Sequence, residues 1–125
     1  MSSIGEQRVC ILDDDPFVVK ATSRLLLSAG WNVDSFTDPN EFLQHAETCH
    51  PRVAVLDILM AVMNGLEVQQ RLRTISPSTR VVILTSKDEP SVRTQAFSAG
   101  ASAFFVKPTS AEEFLAGIES AFSRN

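Results

Sequence analysis

The chain has 125 residues, 44% of them hydrophobic, enough for one core of ordinary single-domain size and too many for a disordered tail or a disulfide-stapled miniprotein. Lys plus Arg number 11 against 15 Asp plus Glu, a net charge of −4 with a pI near 5.1, so wrapping nucleic acid by charge alone is disfavoured and no direct nucleic-acid contact is expected. No apolar run approaches the roughly 20 residues of a membrane helix, and Met1 to Arg8 carries no apolar signal core, so the chain reads as soluble and cytoplasmic, with no membrane contact.

Residues 1–7 read as a flexible N-terminal tail and residues 8–125 as one domain. Val9-Cys10-Ile11-Leu12 is a continuous apolar run ending in Asp13, the signature of a strand buried on both faces. Asp15-Pro16 then supplies an N-cap and a proline at the first helical position, and Phe17, Val18, Ala21, Leu25 and Leu26 form a helical stripe that Gly30 ends. Asn32 to Phe36 alternates polar and apolar, as an edge strand does. Asp38-Pro39-Asn40-Glu41 opens a second helix with a capping-box shape. Val53-Ala54-Val55-Leu56 is the next buried run and ends in Asp57. Asn64-Gly65-Leu66-Glu67 opens a third helix that stops before Pro77. Val81-Val82-Ile83-Leu84 leads to Thr85, Pro90 opens a fourth helix closed near Gly100, and Ala103-Phe104-Phe105-Val106 leads to Lys107. Ser110 caps a fifth helix whose apolar face is Phe114, Leu115, Ile118 and Phe122.

Five βα units in succession predict an α/β fold: a doubly wound, flavodoxin-like, five-stranded parallel sheet with helices on both faces. Such a sheet carries its working crevice at the carboxyl ends of the strands. The buried strands deliver Asp13, Asp57, Thr85 and Lys107 to that edge, with Asp14 and Asp15 on the first loop. Carboxylates this close repel unless a cation fills the gap, and an all-oxygen set points to Mg²⁺. A metal, a lysine and a hydroxyl together can clamp a phosphoryl group, with a carboxylate as nucleophile.

Asp13-Asp14, Asp57, Met60 with Met63-Asn64-Gly65, Thr85-Ser86, Ala99-Gly100-Ala101 and Lys107-Pro108, in this order, resemble the receiver domain of two-component response regulators. The resemblance covers residues 8 to about 122. It implies the strand order 2-1-3-4-5, and Asp57 as phosphoacceptor for a sensor histidine kinase or phosphotransfer protein. It also implies Asp14 as direct Mg²⁺ ligand alongside Asp57, Asp13 acting mainly through metal-bound water, and the Leu59 carbonyl as a further ligand. Thr85 and Lys107 match the groups that hold the phosphoryl oxygens, Thr85 and Phe104 the switch pair, and Lys107-Pro108 a bond that is cis in the family. Such domains catalyse only their own phosphorylation and slow dephosphorylation, and some pair as homodimers through the fourth helix, fifth strand and fifth helix. This chain departs from the family's usual pattern at Ala61, where proline is common, and places Leu59 and Lys87 beside the line of water attack. It also has Ser102-Ala103 where the winged-helix branch carries an acidic pair, and only Arg124 as a basic residue on the last helix.

Two other readings compete. Asp13 and Asp15 also fit the D-x-D of a haloacid-dehalogenase-like phosphohydrolase, which would leave Asp57 idle and lacks a later acidic pair on a strand end. His45 and Cys49 lie four apart on the second helix with His50 adjacent, a fragment of a metal site; zinc sites usually bring four ligands at tighter spacings, so the reading is a helix end with solvated rings. Cys10 reads as a reduced core residue.

Overall fold

The computed structural model describes residues 7–123; the expected tail up to residue 6, and Arg124, lie outside the described residues. The elements alternate as expected: β1 (Arg8–Leu12), α1 (Pro16–Ser28), β2 (Asn32–Phe36), α2 (Pro39–Cys49), β3 (Val53–Leu56), α3 (Gly65–Ile75), β4 (Arg80–Thr85), α4 (Pro90–Ser98), β5 (Ala103–Val106) and α5 (Ala111–Ser123). The strands form one parallel sheet in the order β2-β1-β3-β4-β5. The caps work as their residue types suggest. Asp15, Asp38 and Asn64 each accept a hydrogen bond from the backbone N–H two residues on, and Ser110 Oγ accepts one from Glu113. Gly30 and Gly100 close α1 and α4 with φ of +96° and +100°, a region where a side chain would be strained.

The sheet divides the core in two. On one face Cys10, Leu12, Leu56, Ile83 and Phe104 pack against Phe42, Ala46, Val68, Leu72 and Ala96 of α2, α3 and α4. On the other Val9, Ile11, Val55 and Val82 pack against Leu26 of α1 and Phe114, Ile118 and Phe122 of α5. At the amino-terminal end of the strands Trp31 stacks on Phe122 with centroids 4.4 Å apart, and the Arg52 guanidinium lies over the same ring while donating to the Phe122 carbonyl.

Three local expectations need correction. β5 is an edge strand in this order, so of its residues only Phe104 is fully buried, and the apolar run Ala103–Val106 is only partly covered on its two faces. Phe105 packs on the opposite face from Phe104, edge-on to Phe114 and so close to Gly117 that a Cβ there would collide with its ring. The buried stripe of α1 is Val19, Thr22 and Leu26; Phe17, nine residues before Leu26 and so on the opposite face of the helix, is 82% exposed. His45 is not a solvated ring: it is half-buried, leans on Phe36 and sits 3.3 Å from Asp34. Cys10 is a buried free thiol as expected; burial pushes its pKa up to about 12, with Asp34 and then Cys49 adding to the rise.

Candidate functional site

The carboxyl edge of the sheet is built by the backbone before any side chain contributes. The Asp57 N–H donates to the Leu12 carbonyl, the Asp13 N–H to Phe36, and the Lys107 N–H to Thr85. Each of these three site residues is thus held in register one place past its strand, so its Cα is fixed by the sheet. The Lys107–Pro108 bond is cis. Gly65 begins α3 hard against this edge: its N–H donates to the Ile58 carbonyl, and a Cβ would run into the Asp57 carbonyl oxygen. In the sequence Gly65 is marked only as part of a cap, since close backbone approach leaves no local pattern.

The side chains converge as expected. Asp13, Asp14 and Asp57 each place a carboxylate oxygen within 4.8 Å of the others. Asp13 and Asp57 are only 4% and 6% exposed, and Thr85 is fully buried, while Asp14 faces solvent. Lys107 Nζ lies 2.8 Å from Asp13 Oδ2 and 3.8 Å from Asp57 Oδ2, so its first partner is Asp13. The other Asp13 oxygen accepts from the Asp15 N–H, and Asp14 Oδ2 accepts from the Ala61 N–H at 2.9 Å. Asp57 Oδ1 is buried and has no hydrogen-bond partner among the described residues. Burial raises the Asp57 pKa above the ordinary carboxylate value; the Thr85 hydroxyl opposes this, the Asp13 charge adds to it, and Lys107 and the Leu59 N–H oppose it.

Three carboxylates facing one ammonium, with one buried oxygen unsatisfied and no nitrogen or sulfur ligand in the cluster, suit a hard divalent cation of the Mg²⁺ type. The phosphohydrolase alternative finds no support: Asp15 is the α1 cap rather than an acid in the site, and Asp13 is locked in its ion pair with Lys107.

Around the cluster, the Leu59 side chain is 48% exposed, and the Lys87 ammonium is drawn 3.3 Å from Glu89. Thr85 Oγ1 accepts from the Lys87 N–H. Phe104 is turned in, 6% exposed, with the Arg93 guanidinium 5.1 Å over its ring and Phe97 6.4 Å away.

Comparison with known proteins agrees with this geometry. Residues 9–119 match the family described as the response regulator receiver domain. The chain is 32% identical over 116 residues to the probable transcriptional regulatory protein TcrX of Mycobacterium tuberculosis, covering 93% of this chain and 50% of that protein. It is 33% identical over 113 residues to the response regulator protein TodT of Pseudomonas putida, covering 90% and 50%. The chain therefore spans about half the length of these curated relatives. Among solved structures, chemotaxis protein CheY4 of Vibrio cholerae superposes with a TM-score of 0.84 at 28% identity, over 91% of this chain and 97% of that one.

Proposed function

The chain belongs to the response regulator receiver domain family, and from that premise we propose that Asp57 takes a phosphoryl group from the phosphohistidine of a sensor histidine kinase or phosphotransfer protein. The observation that carries this reading is the buried, unpartnered Asp57 oxygen beside an ammonium, a hydroxyl and two further carboxylates. An Asp57 carboxylate oxygen attacks phosphorus, the bond from phosphorus to the donor's imidazole nitrogen breaks, and that nitrogen keeps the bonding pair. The product is an acyl phosphate. Lys107 shifts from Asp13 toward the incoming oxygens, and the Thr85 hydroxyl donates to another. Asp14, Asp57 and the Leu59 carbonyl would hold Mg²⁺, with Asp13 acting through its water. Bound there, the metal supplies positive charge that offsets the carboxylates and the phosphoryl oxygens.

The added charge, about −1.5 to −2, biases a two-state equilibrium in which Thr85 moves toward the phosphoryl group and Phe104 occupies the space behind it. The face made by α4, β5 and α5 is then the output surface, for a partner or a second copy. Chemistry is confined to self-phosphorylation and slow hydrolysis, and the setting is cytoplasmic. Among the described residues no helix is long and apolar enough to cross a membrane.

Incubation with acetyl phosphate and Mg²⁺, followed by intact mass, tests the assignment. One phosphoryl group should appear on the wild-type chain and none on Asp57→Asn. Uptake at wild-type level in the variant, or steady turnover of the donor by that variant, would overturn it.

A further inference from the structure

A second cluster of ligand-bearing side chains lies away from the carboxyl edge, in the corner between β1, β2 and α2. Cys10 and Asp34 are direct partners across the β1–β2 ladder, and α2 lays His45 over them. One ligand atom from each of Cys10, Asp34 and His45 lies within 4.8 Å of the other two. His45 Nε2 is 3.3 Å from Asp34 Oδ2. With metal–ligand distances of 2.0–2.1 Å, a tetrahedral zinc ion sets its nitrogen and oxygen ligands roughly 3.3 Å apart. The spacing is therefore that of two corners of one coordination tetrahedron. Yet His45 Nε2 makes no hydrogen bond to any described residue, although it is shielded from solvent.

The groups around these three atoms orient them. Arg8 holds the other Asp34 oxygen at 3.0 Å, which turns Oδ2 toward the histidine. Cys49, one turn along α2, lies 3.6 Å from His45 Nδ1 on the far side of the ring. A proton on Nδ1 shared with that sulfur leaves the Nε2 lone pair free, the tautomer a metal requires. An open cavity lined by Arg8, Cys10, Asp34, His45 and Cys49 gives an ion a way in.

We propose that Cys10 Sγ, Asp34 Oδ2 and His45 Nε2 form a zinc-type site with three protein ligands, its fourth position open to the cavity and taken by water. One thiolate, one imidazole and one carboxylate select a borderline transition ion over Mg²⁺. On ligation the Cys10 thiol releases its proton to solvent. The bound ion ties the edge strand β2 to β1 and α2. The proposal is independent of the phosphoryl chemistry at Asp57.

Co²⁺ alone, added to the reduced full chain, is the probe, because the carboxyl-edge cluster contains no sulfur. One equivalent should produce a thiolate-to-cobalt charge-transfer band with the visible bands of tetrahedral Co²⁺, and Zn²⁺ should displace both. The band should persist in Cys49→Ser, vanish in Cys10→Ala and weaken at least tenfold in apparent affinity in His45→Gln. His45 is half-exposed, so that variant serves should Cys10→Ala fail the circular-dichroism check of folding. Absence of the band in the wild-type chain would overturn the site and leave a plain Arg8–Asp34–His45 polar network. A band lost in Cys49→Ser but kept in Cys10→Ala would overturn it equally, by assigning the metal to the surface thiol.

Discussion

Replacing Asp57 by Asn should make the metal-free protein more stable at neutral pH, although it removes the proposed reactive group. The carboxylates of Asp13 and Asp57 come within 4.8 Å, which at an effective dielectric of 20 is a repulsion of about 3.5 kcal/mol. Asp14 is as near, but it is exposed, and solvent screening reduces its share to about half of that. Lys107, 3.8 Å away, returns about 4.4 kcal/mol of attraction. Asp57 is left with a net repulsion of about 1 kcal/mol, to which the cost of burying a charge is added. Asn keeps the shape and removes both, so a gain of about 1–2 kcal/mol is expected, or roughly 3–8 °C in Tm for a domain of this size. The sign follows from the raised Asp57 pKa. The folded state holds that proton more tightly than the unfolded chain, so stability is lost as pH rises from the unfolded value toward the folded one. Below about pH 3.9 both states are protonated and the advantage of Asn should fade. Thermal melts in chelator at pH 7 and near pH 3 measure this. Equal or lower stability for Asp57→Asn at pH 7, or a gain that persists undiminished at pH 3, would refute the reasoning.

Gly65→Ala should displace the Asp57 backbone, costing roughly 1–3 kcal/mol in chemical denaturation and at least tenfold in the rate of labelling by acetyl phosphate, because the new methyl meets the Asp57 carbonyl oxygen. Phe104→Ala should cost about 3–5 kcal/mol, whereas Arg93→Ala, which removes only the cation over that ring, should cost about 0.5–1 kcal/mol; denaturant midpoints of the two variants give the comparison. Leu59→Asn combined with Lys87→Glu should shorten the lifetime of the phosphorylated chain several-fold in a decay assay by intact mass, since Leu59 offers attacking water no polar group and Lys87 is held to the rim by Glu89.

Most of the architecture was legible because its signals are local. The strand runs Val9–Leu12, Val53–Leu56 and Val81–Leu84 are each followed by a polar residue, and Asp15, Asp38, Asn64 and Ser110 announce four helix starts through side chains that do cap them. The meeting of Asp13, Asp14, Asp57 and Lys107 followed from the parallel topology, which sends all strand ends to one edge. What stayed hidden depends on relations between distant residues. Lys107 pairs first with Asp13 because ammonium and carboxylate settle by distance, which no spacing encodes. Phe17 reads as core because it is apolar and adjoins the stripe in sequence, yet the buried face of α1 is fixed by Val19, Thr22 and Leu26 on the other side of the helix. The Cys10–Asp34 pairing is a matter of strand register, so His45 and Cys49 looked like an isolated pair until β2 was placed beside β1.

The stack of Trp31 on Phe122 makes the protein its own spectrometer, with a fixed field of view. Trp31 is the sole tryptophan, and the chain contains no tyrosine. Its ring sits where the strands begin, and a strand of five residues advances about 16 Å, so the indole is a full sheet length from the acidic edge. An ion or phosphoryl group arriving at that edge is too far away to quench it by contact. Any change in emission on such an event therefore reports that the lower end of α5 has shifted against Trp31 or Arg52. A silent titration localises the response to the upper half of the domain, and a responsive one times the passage of the signal across it.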